Sequence, residues 1–334
     1  MTTTTDAKHT AYPPFRPFLA HVADVTPLSA HFTRITFDGP ELEHVRRTGY
    51  DQRIKLVLPL EDDPRWERSP LLAADCVERG AWWDVWRALP ADRRNVIRTY
   101  TLRTTPDDGL VCIEFVTHEG AGPAGTFAMT ARPGDTVVLV APDDRAETYG
   151  GGIDFHPGVA GNVLLVGDET ATPAILGIIG SLAGTPWDGS ITALLEVPES
   201  GDVIAAPECE RLDIKWLPRN GSARGTRLVR AVEAYADAHP RSFVTRWRRT
   251  GDSPAPAYTE TDVDRELLWE TTGDGLPSIG STSRLATGSD GFYAWVAGEA
   301  AVVRDVRRVL LRDHGLDRRR AAFMGYWRAG KSEI

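Results

Sequence analysis

Two cations and an aromatic ring recur at strand spacing in Arg98-Thr99-Tyr100-Thr101-Leu102-Arg103. Successive side chains on a strand point to opposite faces, so Arg98, Tyr100 and Leu102 share one face and Thr99, Thr101 and Arg103 the other. A guanidinium is a planar fork of donors suited to phosphate, and a neighbouring tyrosine can lie flat against a large conjugated ring. A flavin dinucleotide asks for both. The same six residues also suit an exposed strand with solvated arginines, so the rest of the chain has to decide between the two. Further on, His118-Glu119-Gly120-Ala121-Gly122-Pro123-Ala124-Gly125-Thr126 is a glycine-rich turn running into a short helical pattern. Small residues let the backbone approach a ligand, and a helix start offers N–H groups to a pyrophosphate. A plain strand-to-helix loop has the same composition.

A second group of candidates follows the apolar run 163–166. Gly167-Asp168-Glu169-Thr170-Ala171-Thr172-Pro173 leads into a helical stretch at 174–182. In an open sheet with strands alternating with helices, ligands lie at the carboxyl ends of strands. Three loops meet that description: 167–172, 196–200, and Gly298-Glu299. No GxGxxG occurs, so the usual dinucleotide fingerprint is absent. A bare ribose favours an acid and a 2′-phosphate a cation; Glu196 and Glu199 favour NADH, while Arg219 and Arg224 point the other way. Near the end, Tyr326 and Trp327 either cover a flavin ring or cap the core.

The elements that must position these residues change character along the chain. Alternating segments at 18–25 and 32–37 read as a hairpin or meander. Further strands fall at 54–58, 98–103, 110–116 and 136–140, which with one short helix suggests a small antiparallel barrel. In the strand at 54–58, Lys55 and Val57 share a face. Trp82, Trp83 and Trp86, in an insertion, have near-helical spacing and read as core. Beyond the glycines at 150–152 the pattern becomes buried strands at 191–197, 214–217 and 292–297 alternating with helices at 223–238 and 299–313, the signature of a doubly wound parallel sheet. The stretch 248–290 reads as a long loop with an apolar island at 267–270 that can dock. Two domains follow, at 12–152 and 158–330.

Composition limits the partners. The formal charge of -9 argues against nucleic acid or a membrane surface, and no window reaches the apolar length of a membrane span. Three widely spaced cysteines offer neither a disulfide framework nor a CxxC site, and eight scattered histidines no metal spacing. A cytoplasmic protein without a protein-held metal is expected.

Taken in order, RTYTLR at 98–103, GDETATPAI at 167–175, AWVAGEA at 294–300 and GYWRAG at 325–330 resemble the siderophore-interacting protein family. These are flavin-dependent ferric-siderophore reductases of the ferredoxin-reductase-like superfamily, and the similarity runs over 18–330. The resemblance implies an N-terminal antiparallel FAD-binding barrel followed by a doubly wound NAD(P)H-binding domain, with NADPH or NADH as donor. It implies that Arg98, Tyr100 and Thr101 contact FAD, and that Gly122, Pro123, Ala124 and Thr126 form the pyrophosphate loop. Asp168, Glu169, Thr170 and Ala171 would line the nicotinamide side, with Gly298 and Glu299 opposite. Arg103, His118, Gly125 and Trp327 complete the expected cofactor contacts, and Lys55 would meet the ferric chelate. Gly125 and Phe127 depart from the serine and tryptophan common in the family. The resemblance implies a monomer that reduces a ferric siderophore; a chelate shuttle without turnover, or a flavin reductase for another acceptor, are the alternatives.

Overall fold

The computed structural model describes residues 12–62, 64, 66, 69–103, 109–117, 122–148, 151–158, 160–243, 258–261, 263, 266, 268–272 and 291–331. His118 and most of the stretch 248–290 lie outside them.

Six strands build the first sheet: β1 (Phe15–Pro27), β2 (Phe32–Asp38), β3 (Arg53–Val57), β4 (Ile97–Thr101), β5 (Val111–Val116) and β6 (Thr136–Pro142). Their order is β4-β3-β6-β1-β2-β5, with every pairing antiparallel. The two outer strands meet at one bridge, Arg103 to Cys112, which nearly closes a barrel. Ile54 and Leu56 point into it beside Phe18, Ile35, Phe37 and Leu139. Val57, Val138 and Val140 point outward beneath Trp66, Leu71 and Trp86. Burial on both faces is why β6 reads as a continuous apolar run and not as an alternation. The outer cover includes α1 (Ala74–Arg79) and α2 (Trp82–Ala88). Trp86 is core as expected, with its indole N–H on the Asn95 carbonyl at 2.8 Å. Trp83 is not: it stacks on Trp86 at 5.0 Å and is 45% exposed.

After α3 (Pro123–Thr130) and β6, the second sheet comprises β7 (Asn162–Gly167), β8 (Ser190–Val197), β9 (Leu212–Pro218), β10 (Trp269–Glu270), β11 (Phe292–Glu299) and β12 (Ala321–Trp327). The order is β10-β12-β11-β7-β8-β9. Five strands are parallel, and β10, from the apolar island at 267–270, adds an antiparallel edge. One face is packed by α4 (Thr172–Ala183). The other is packed by α5 (Thr226–Ala238), α6 (Pro240–Phe243) and α7 (Ala300–Arg307), whose last turn runs on as a π-helix over Arg308–Asp313. The chain leaves β7 toward β8 on one side and reaches β11 on the other. The switch point thus lies at Asp168 and Gly298, where such sheets take ligands.

The two sheets are pinned together. Ser181 Oγ on α4 accepts from the Tyr50 N–H at 2.7 Å, and Arg103 Nη1 donates to the Pro173 carbonyl at 3.0 Å. At the far end of the seam, Asp202 accepts from the Ser29 hydroxyl at 2.7 Å and lies 2.8 Å from His31 Nδ1. Asp51, fully buried before β3, accepts from the N–H groups of Asp154 and Phe155 and from the Trp295 indole. Four side-chain or backbone ties of this kind fix how the barrel faces the sheet.

Candidate functional site

The site begins at the gap between β4 and β5. Alternation holds on β4: Tyr100 and Leu102 join the barrel interior, whereas Thr99 points outward. The Tyr100 ring packs on Phe115 at 4.5 Å, and Phe115 lies 6.3 Å from Phe127. Phe127 thus packs against the barrel core through Phe115. Burial pushes the Tyr100 hydroxyl well above its usual range, so it stays protonated at any physiological pH. Arg98, half-buried, donates to the Ile97 carbonyl at 2.8 Å, and Thr101 is buried. After β5, α3 starts at Gly122 with Pro123 in its first turn and no side-chain cap. A Cβ at Gly122 would meet nothing within 4 Å, so the space in front of this helix start is open. Gly125 and Thr126 lie in its first turn, where the Thr126 N–H is taken by the Gly122 carbonyl at 2.9 Å. A guanidinium, an aromatic ring, a hydroxyl and the open N-terminus of an eight-residue helix form a donor set that fits a flavin dinucleotide.

Arg103 lies on the opposite side of β4. Its guanidinium bridges Glu114, 3.3 Å away on β5, and the Pro173 carbonyl on α4. It therefore joins the domains at the seam.

At the switch point the acids turn inward. Asp168, 1% exposed, accepts from the Thr170 N–H and hydroxyl, the Glu299 N–H at 2.8 Å and the Trp327 indole N–H at 3.0 Å. Burial pushes its carboxyl up to about 6, with the Glu169 charge acting the same way against those hydrogen bonds. Glu169 holds Arg219 through two bonds at 2.6 and 2.9 Å. Glu299 caps α7 by accepting from Ala301 and Val302. Gly298 stands at a φ of +144°, and a Cβ there would lie 2.8 Å from the Asp168 carboxyl carbon, so only glycine allows this approach. The carboxylates of this loop are occupied by protein donors. They enclose two small residues, Ala171, which is fully buried, and Gly298. Trp327 stands beside this loop, under the Arg224 guanidinium at 4.5 Å.

Lys55 sits on the outer barrel face, its Nζ 2.7 Å from the Thr99 hydroxyl. Two residues along the same face, Arg53 pairs with Asp154 at 2.7 Å and stacks on Trp269 at 4.6 Å, and Trp269 stacks on Tyr326. The buried Tyr326 hydroxyl and Arg53 Nε find no hydrogen-bond partner among the described residues. Sequence reading missed Arg53, Asp51 and Asp154. The only signal was a charged residue at either edge of an apolar strand, which surface residues share.

The model of the siderophore-interacting FAD-binding domain matches residues 21–146, and that of the siderophore-interacting protein matches 160–330. The chain belongs to the siderophore-interacting protein family. A siderophore utilization protein from T. fusca superposes with a TM-score of 0.60 at 25% identity, over 97% of each chain. The mycobactin import ATP-binding/permease protein IrtA of Mycolicibacterium smegmatis is 35% identical over 170 residues, which are 50% of this chain and 18% of that protein. The NADPH-dependent ferric-chelate reductase of Escherichia coli is 26% identical over 62% of this chain and 74% of its own. The FAD-binding domain precedes the second sheet, and no helix among the described residues is long and apolar enough to cross a membrane.

Proposed function

We propose that this FAD-dependent oxidoreductase is a ferric-siderophore reductase of the cytoplasm, acting as a monomer. Residues 12–152 hold FAD and residues 158–330 receive NAD(P)H. The observation that carries this reading is the pinned seam, which holds the Arg98–Tyr100 face and the switch point at Asp168 in one fixed relation. When bound, FAD supplies the conversion between a two-electron donor and a one-electron acceptor. The balance is NAD(P)H plus two Fe(III) giving NAD(P)+, two Fe(II) and a proton. Arg98 neutralises phosphate charge, and Tyr100 and Phe127 give a dry aromatic wall. The chelator keeps the iron coordinated, in agreement with relatives named for ferric-chelate and ferric vibriobactin reduction.

Arg98→Ala should lower FAD affinity roughly ten- to hundredfold, the worth of a charge-assisted contact of ~1.5 to 3 kcal/mol. Equilibrium dialysis of flavin against mutant and wild type measures it; equal affinities would take Arg98 out of the flavin site.

Lys55 is the cation proposed for the chelate. Ferric tris-catecholates carry several negative charges and ferric tris-hydroxamates can be neutral, so an acidic protein needs Lys55 more for the first class. Lys55→Ala should raise KM for an anionic ferric chelate, spare a neutral one, and lose its effect at high salt, because exposed charge pairs are screened. Steady-state reduction with an Fe(II) trap tests both the mutation and the activity. No Fe(II) from any chelate would sink the reductase reading, and equal kinetics on both chelates would return Lys55 to the surface.

A further inference from the structure

Two acids and two arginines surround the carboxyl ends of β8 and β9, the region where a doubly wound sheet receives the ribose of a dinucleotide. This inference rests on the dinucleotide reading of the site given above. Which dinucleotide fits depends on which of the four retains binding capacity, since a 2′-hydroxyl asks for a carboxylate and a 2′-phosphate for a cation.

Of the two acids, Glu196 is spent and Glu199 is exposed. Glu196 is fully buried, and its two oxygens accept from the Gly225 N–H at 2.8 Å and the Leu228 N–H at 3.2 Å. It caps α5 from beneath, and its complete burial keeps it from a ribose. Glu199 caps the single turn Ser200–Asp202, and Asp202 returns a bond to the Glu199 N–H at 2.9 Å. Arg219 is spent as well. It is 9% exposed, grips Glu169 with two nitrogens, and stands 3.5 Å from Glu196.

Arg224 is different. Its side chain is 36% exposed, and its bond to Glu169 Oε1, at 3.3 Å, goes to an oxygen that Arg219 already holds at 2.9 Å. A partly exposed guanidinium that shares an acceptor already held more tightly by Arg219 keeps further N–H donors for a second anion. The guanidinium also lies 4.5 Å over the Trp327 ring. Stacking fixes the plane of the fork through its face and leaves its edge, where the five N–H donors lie, for bidentate recognition. The Trp327 ring is itself anchored by the indole bond to Asp168, so the fork is held on the frame of the switch point. On the flanking loops, a Cβ at Gly201 or Gly221 would meet nothing within 4 Å, so the approach is open.

We infer that Arg224 reads the 2′-phosphate of NADPH and makes NADPH the preferred donor, with Trp327 as its positioning residue. The test uses ligands that do no chemistry. Adenosine 2′,5′-bisphosphate and 5′-AMP differ by the 2′-phosphate alone, and each is titrated calorimetrically into the flavin-loaded protein. Wild type should bind the bisphosphate about ten- to hundredfold more tightly, as a charge-assisted contact implies. Arg224→Gln should remove most of that difference and leave 5′-AMP unchanged. The ratio of kcat/KM for NADPH over NADH should fall by a similar factor. Equal affinities in wild type would overturn the assignment. So would an Arg224→Gln protein that keeps the difference, or its loss only on Arg227→Gln, a change at the neighbouring exposed arginine at the start of α5. If neither nucleotide binds at all, the dinucleotide reading of the second sheet falls, and this inference falls with it.

Discussion

Arg219→Met is expected to cost about 3–5 kcal/mol at neutral pH, the usual consequence of removing one partner from a buried ion pair. Methionine fills similar volume but leaves Glu169, 3% exposed, and Glu196, fully buried, without the cation that faces both. A loss of that size is a large share of a domain's whole stability. The pH dependence gives the sign. Burial alone would raise the Glu169 carboxyl, but hydrogen bonds from Arg219 outweigh it and hold the group below its usual range. In wild type the contribution of the pair is therefore present above the unfolded carboxylate pKa and is lost as pH falls through the lower folded one. In Arg219→Met burial prevails, the carboxyl moves up, and taking a proton relieves the penalty. The mutational loss should shrink between pH 7 and pH 5. Denaturant unfolding of both proteins at the two pH values measures this. A loss that is the same at both, or absent, would show that Glu169 does not depend on Arg219.

Gly177→Ala is the second large expectation, and its sign separates two accounts of the seam. Inside a helix, alanine is favoured over glycine by ~1 kcal/mol, so an unconstrained position would gain stability. Gly177 is constrained. A Cβ there would overlap the Tyr50 carbonyl oxygen and lie 3.2 Å from Arg103 Nη1. The first is backbone and cannot swing aside, so overpacking of about 1–3 kcal/mol should outweigh the helical gain. The barrel would be pushed off α4, and flavin reduction by NADPH should slow while FAD remains bound. Thermal unfolding and stopped-flow bleaching read the two effects. A variant that melts higher and bleaches at the wild-type rate would mean that the seam is loose at Gly177.

Much of the architecture was legible because it rests on local period. Strand alternation sorted Tyr100 and Leu102 from Thr99, and the run 163–166 followed by Gly167 and Pro173 located the switch point. The π-turn at Arg308–Asp313 and the two-residue strand β10 left no such signal. Roles set by long-range pairing were hidden. Arg219 and Arg224 look alike in sequence, yet one is buried against Glu169, 50 residues away, and the other is exposed. Glu196 looked available to a ribose, but the start of α5 folds over it and takes both of its oxygens. Arg103, expected at the cofactor, is drawn to Glu114 and the Pro173 carbonyl, partners that exist only once the two sheets have met. Whether an ionisable residue meets a ligand or the protein is decided by packing, which local pattern does not encode.

The central claim is that one chain takes electrons from a nicotinamide and delivers them to chelated iron through a flavin held between Arg98 and the switch point. Its most direct measurement is the visible absorption of the purified, flavin-loaded protein under anaerobic conditions, as NADPH and then a ferric siderophore are added. The account predicts a flavin band that bleaches with NADPH and returns as Fe(II) appears, two irons for each NADPH. A flavin band that NADPH bleaches but no ferric chelate restores would contradict it.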